Sequence, residues 1–135
     1  MAAPSPVTEI KTKAQFDELV KTTPYVALQA HAAWCGPCKA ISPIFKKQAE
    51  KHTSEKFAFA KFDTDDVPDL AHELGIRSIP AFFFFEDGDK AGDLVGAVPP
   101  KLIAALDGYA DKAKGGAATE EKPAEENTLK TDENF

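Results

Sequence analysis

The chain has 135 residues, 43% of them hydrophobic and 28% charged, with a formal net charge of -6 at pH 7. That length suits one domain able to bury a core without disulfide or metal staples, and the balance is that of an ordinary globular protein. The acidic net charge argues against a nucleic-acid partner, which would need clustered Lys and Arg, and it offers no basic face to anionic lipid.

Residues Pro6 to Ile10 read as a short edge strand. Lys13 to Lys21 reads as a helix with Phe16, Leu19 and Val20 on one face; Pro24 ends it, because the residue before a proline leaves the helical region. Tyr25 to Ala30 is apolar and extended, the pattern of a strand buried on both faces. Cys35 to Lys51 carries helical spacing through Ile41, Ile44, Phe45 and Ala49, with Pro43 inside it as a source of a kink.

Phe57 to Phe62 alternates as a strand. Asp63, Asp65 and Asp66 then suit a turn and the cap of a short helix, Pro68 to Leu74, which Pro68 starts and Gly75 ends. Ala81 to Glu86 is a second apolar strand, its four phenylalanines read as core. Asp87-Gly88-Asp89 is a hairpin turn signal, Leu94 to Val98 the next strand, and Lys101 to Ala113 a final helix with Leu102, Ile103, Leu106 and Tyr109 inward. His52 and His72 fall on helix faces and read as solvated. The order β-α-β-α-β-α-β-β-α is α/β: parallel strands first, an antiparallel hairpin last, and helices on both faces of a five-stranded mixed sheet.

Residues 1–113 form the predicted domain. From Gly115 on, six acidic residues face two basic ones with few apolar side chains, so residues 114–135 read as a disordered acidic tail without an assigned role. Met1 to Val7 lacks the basic and apolar regions of a signal peptide. The longest apolar run, Ala81 to Phe85, is too short to span a membrane. A soluble, cytoplasmic protein is the expectation.

Both cysteines of the chain sit in one Cys-x-x-Cys, Cys35 and Cys38. A bond between them closes so small a loop that it constrains the unfolded chain little, which leaves redox chemistry or half of a metal site. A structural zinc site needs four ligands, and His31, His52 and His72 show no paired spacing. The motif follows a strand and opens a helix. Cys35 at that helix start meets unpaired backbone N–H groups and the positive end of the dipole, which favour its thiolate. Cys38, one turn further in, is expected to be the more buried resolving thiol. Gly36 permits the tight turn, and Pro37 fixes φ for a first helical turn.

The segment Trp34-Cys35-Gly36-Pro37-Cys38-Lys39 closely resembles the active-site motif of the thioredoxin family. The resemblance runs from about Val7 to Ala113. Pro43 sits at the family's helix kink, Ile79-Pro80 resembles its cis-proline loop, and Gly88 and Gly96 resemble its hairpin and groove glycines. It implies the thioredoxin fold and a protein thiol–disulfide oxidoreductase that reduces substrate disulfides through Cys35 and Cys38. It implies no cofactor beyond that redox disulfide, a thioredoxin reductase as electron donor, and a monomer. It also implies a docking surface of Trp34, Gly36, Pro37, Ile79, Pro80, Gly96 and Ala97, where the Ile79 backbone pairs with an extended substrate.

Two positions depart from the family. Gln29 stands where a buried Asp is usual, and a glutamine cannot act as a general base. Lys61 matches the family's buried lysine, here without that acidic partner. His31 replaces an aromatic residue and titrates near neutral pH, so it either tunes the thiolate or merely packs. The alternative function is a thioredoxin-fold adaptor with weak redox turnover caused by Gln29.

Overall fold

A computed structural model describes residues 6–115. Nine elements follow one another: β1 (Val7–Glu9), α1 (Lys13–Thr22), β2 (Tyr25–His31), α2 (Gly36–His52), β3 (Phe57–Asp63), α3 (Pro68–Glu73), β4 (Ala81–Glu86), β5 (Asp89–Val95) and α4 (Pro99–Gly115). The expected tail lies almost wholly outside the described residues, but Lys114 and Gly115 continue α4 rather than beginning that tail.

The five strands form one sheet in the order β1-β3-β2-β4-β5. The first three pair in parallel, and β4 and β5 join antiparallel. The period-2 alternation of strand side chains explains how phenylalanines in succession fill two cores. Phe82 and Phe84 point into one, with Phe57, Phe59, Phe45 of α2 and Leu102 and Leu106 of α4. Phe83 and Phe85 point into the other, with Phe62, Phe16 of α1 and Leu70 of α3. Helices thus cover both faces of the sheet, and the central strands read as continuous apolar runs because neither face meets water.

Three expectations need correction. The last strand begins at Asp89, not Leu94. It is a solvated edge strand, so its first half carries charge and lacks an apolar signal. Its turn places Asp87 at φ 53° and Gly88 at φ 88°, and a register shift lies between Phe84 and Phe85. Gly92, opposite Phe84, leaves room for Tyr109: a Cβ there would stand 3.0 Å from the Tyr109 hydroxyl, while the Tyr109 ring stacks on Phe84 at 5.0 Å. Ile103, expected inward, is 38% exposed, because the inward stripe of α4 runs through Leu102, Leu106, Ala110 and Ala113.

His52 is the third. His72 is exposed as expected, but the His52 side chain is only 6% exposed. Its Nε2 lies 2.8 Å from Asp107 Oδ1, which also accepts from Gln48 Nε2 at 3.3 Å. The three side chains tie the end of α2 to α4, and the His52 bond is the main cause that holds the Asp107 carboxyl below its ordinary range. Periodicity cannot show such a partner, since it comes from a helix more than fifty residues away.

Candidate active site

The site grows from the end of β2. After His31 the chain turns through Ala32 to Trp34, and the Cys35 N–H donates to the Ala32 carbonyl at 3.1 Å. Cys35 is the N-cap of α2, with φ -88° and ψ 107°, and its Sγ accepts from the Cys38 N–H at 3.1 Å. Pro37 lies in the first turn, where its missing N–H costs no helical bond. α2 continues through Pro43 to His52. Ile41, Phe45 and Ala49 anchor it to the sheet; the Phe45 ring stands 5.4 Å from Phe59 and 5.6 Å from Phe82.

Cys35 and Cys38 are joined in a disulfide, their Cα atoms 5.3 Å apart. Cys35 was expected to be the exposed member, but the residues are 3% and 2% exposed. Exposure therefore does not tell them apart. Position does: Cys35 sits at the cap, where its sulfur receives an amide, whereas Cys38 is already inside the helix. A sulfur that receives an N–H at a helix N-terminus is the one on which negative charge is favoured.

Ile79 packs on Ala32 and the two cysteines. The Ile79-Pro80 peptide bond is cis, Pro80 is buried, and its carbonyl accepts from Gly96 N–H at 2.8 Å. Gly96 has φ 102°, which suits glycine alone. Ala97 beside it is exposed, and the flanking Val95 and Val98 are 63% and 42% exposed. On the other side Trp34 is 70% exposed and its Nε1 donates to Asp65 Oδ2 at 3.0 Å. Trp34, Thr64, Ile76, Arg77, Ser78 and Ile79 line a groove there of about 400 Å³. Gly36, Pro37 and Lys39 are exposed around the motif. The candidate docking residues therefore converge on one rim around the disulfide.

Gln29 is 1% exposed, and its side-chain amide has a hydrogen-bond partner. Its Nε2 donates to Ser42 Oγ at 2.9 Å, and Ser42 Oγ donates to the Cys38 carbonyl at 2.7 Å. Lys61 stands opposite Gln29 in the β2–β3 register. The expectation that Lys61 is buried is corrected: it is half-buried and lines a cavity with Gln29 and Ser42. His31 stands opposite Asp63. Burial, followed by the charge of Lys61, pushes its pKa below the ordinary 6.5, against the opposite pull of Asp63, Glu9 and Asp66. Its Nε2 is buried without a hydrogen-bond partner.

Sequence reasoning missed Ser42 and the role of Asp65. Ser42 carried a readable signal: its hydroxyl reaches the carbonyl four residues back, a common habit of Ser in helices. Asp65 carried none, since its bond to Trp34 spans two loops. The expected acidic cap of α3 is also absent: the cap position is Val67 with no side-chain bond, while Asp63 Oδ1 instead accepts from Asp65 N–H at 2.8 Å and shapes the loop.

The family model described as Thioredoxin matches residues 7–108. The chain is 50% identical over 84 residues to Thioredoxin Asp f 29 of Aspergillus fumigatus, covering 60% of this chain and 74% of that protein. It is 41% identical over 92 residues to the thioredoxin of Malassezia sympodialis, covering 68% and 88%. With thioredoxin-like protein 1 of Schizosaccharomyces pombe it shares 39% identity over 112 residues, 83% of this chain but only 39% of that longer protein. The solved structure of the Malassezia sympodialis thioredoxin superposes with a TM-score of 0.74 at 36% identity, covering 82% of this chain and 96% of that one.

Proposed function

The chain belongs to the thioredoxin family and is a thiol–disulfide oxidoreductase of the protein-disulfide reductase type; we propose that Cys35 opens the reaction and Cys38 closes it. The observation that carries this assignment is the Cys38 N–H donated to Cys35 Sγ at the start of α2. In the reduced protein the Cys35 thiolate attacks one sulfur of a substrate disulfide and expels the other as a thiolate. Cys38, deprotonated, then attacks Cys35 Sγ in the mixed disulfide and expels the second substrate thiolate. Two electrons pass from the dithiol to the substrate, whose two sulfurs take up protons, and the Cys35–Cys38 disulfide is left behind.

The rim of Trp34, Ile79, Pro80, Gly96 and Ala97 is the proposed docking surface for protein disulfides, with the Ile79 backbone pairing an extended substrate segment. Recharging by a thioredoxin reductase, a monomeric state, and a cytoplasmic role in electron transport and cell redox homeostasis belong to the same proposal. The intact Cys35–Cys38 couple argues against the adaptor reading. Gln29 offers no titratable acceptor for the Cys38 proton, which leaves water in the cavity that Gln29 lines with Lys61. Gln29→Asp should therefore raise turnover and reshape its pH profile, and an unchanged rate and profile would sink that step.

Insulin-disulfide reduction tests the assignment directly. Cys35→Ser should abolish turnover. Cys38→Ser should make a single attack and accumulate a mixed disulfide through Cys35, visible by mass spectrometry. Turnover that survives Cys35→Ser, or a trapped adduct on Cys38 in that variant, refutes the order of attack.

A further inference from the structure

The cavity beneath α2, which adjoins Cys38, carries a charge pattern that thiol–disulfide exchange does not account for. It holds about 520 Å³, within the range of small-molecule sites. Among the described residues its polar lining is Gln29, Ser42, Lys39, Lys46 and Lys61, with no carboxylate. In a chain with 22 acidic residues against 16 basic ones, three lysines around one hollow run against the overall charge. None of the three forms an ion pair with a described residue.

Two acids close to Lys61 in the sheet have other partners. Glu9, opposite Lys61 in the β1–β3 register, lies 3.4 Å from Lys11. Asp63 is bonded to the Asp65 amide. Gln29 contributes a donor, because Nε2 carries two hydrogens and Ser42 takes one. Val7 and Phe45 supply apolar wall, and low polarity beside cationic donors strengthens their hold on an anion.

We propose that this cavity binds a small monocarboxylate anion. Lys61, the α2 lysines Lys39 and Lys46, and the remaining Gln29 N–H would hold its carboxylate, and its short apolar body would lie against Val7 and Phe45. Inorganic oxyanions would satisfy the donors but leave that wall uncovered. A diacid would bring a second charge to it.

The test is a titration of the oxidised full-length chain with sodium propionate, followed by NMR at constant ionic strength maintained with sodium chloride. Saturable shifts of the Gln29 side-chain amide and of Ser42 are expected. Lys61→Met should weaken binding about tenfold or more, the loss of one charge-assisted contact, while Lys61→Arg should retain it. Because Lys61 lies partly inside the fold, Lys46→Gln on the exposed face of α2 provides a second variant, expected to weaken binding several-fold with the amide spectrum otherwise intact. Shifts that rise without saturation, equal shifts from chloride alone, or unchanged binding in folded Lys61→Met and Lys46→Gln would overturn the proposal.

Discussion

Ser42→Ala is the substitution that tests how the sheet is wired to the redox couple. The Ser42 hydroxyl accepts from Gln29 Nε2 at 2.9 Å and donates to the Cys38 carbonyl at 2.7 Å. Removing it leaves an amide that is 1% exposed without its side-chain partner. An orphaned buried donor costs about 1–3 kcal/mol. Two effects pull toward the lower end. Alanine is the better helix former by a few tenths of a kcal/mol, and water in the adjoining cavity takes up part of the lost bond.

We therefore expect a net loss of about 1 kcal/mol, which lowers the melting temperature by roughly 4 °C in a domain of this size. Urea unfolding of the oxidised chain measures it as a lower midpoint with an unchanged slope. Gln29→Leu alone should cost less, because Ser42 keeps its bond to Cys38. The double variant should recover most of the Ser42→Ala loss, a coupling of about 1 kcal/mol between the two positions. A Ser42→Ala protein as stable as its parent, or strict additivity in the double variant, refutes the wiring.

Burial and Lys61 depress the His31 pKa, so the unfolded chain takes up a proton first and stability falls as pH drops from about 7 through the lowered value. His31→Phe should flatten that decline between urea midpoints measured at about pH 7.5 and 5.5; an unchanged slope would count against the buried-imidazole account. Asp107→Ala strips His52 and Gln48 of their shared carboxylate and should cost about 1–2 kcal/mol by urea midpoint, the half-exposed carboxylate limiting the loss. The contribution of the Asp107 charge is present above its unfolded pKa and lost as pH falls through its lowered folded value. Phe45→Ala removes the ring that locks α2 against Phe59 and Phe82 and should cost about 3–5 kcal/mol by denaturant unfolding, a large share of a typical total of 5–15 kcal/mol. A loss below about 1 kcal/mol would mean that α2 is anchored elsewhere.

Local chemistry carries its own signal along the chain. Two cysteines three apart after a buried strand, Gly36-Pro37 between them, Ile79-Pro80 downstream, and phenylalanines in apolar runs are legible because each is set by nearest neighbours, by backbone sterics or by period. From these alone followed the order of nine elements, the mixed sheet and the reactive pair. The edge strand was misplaced because solvent on one side removes the apolar half of the period, and Ile103 because a helix carries more apolar residues than its neighbours can cover.

What the tertiary structure decided is pairwise and distant. Only folding sets Trp34 on Asp65, buries His52 against Asp107, brings Lys61 across from Gln29, and closes Gln29 onto the carbonyl of Cys38 through Ser42. No period or propensity encodes these contacts. Each depends on where a second element, dozens of residues away in most cases, comes to rest, and a buried polar group takes whatever partner that packing supplies. The reactive pair was thus determined by sequence, and the environment that activates it by the fold.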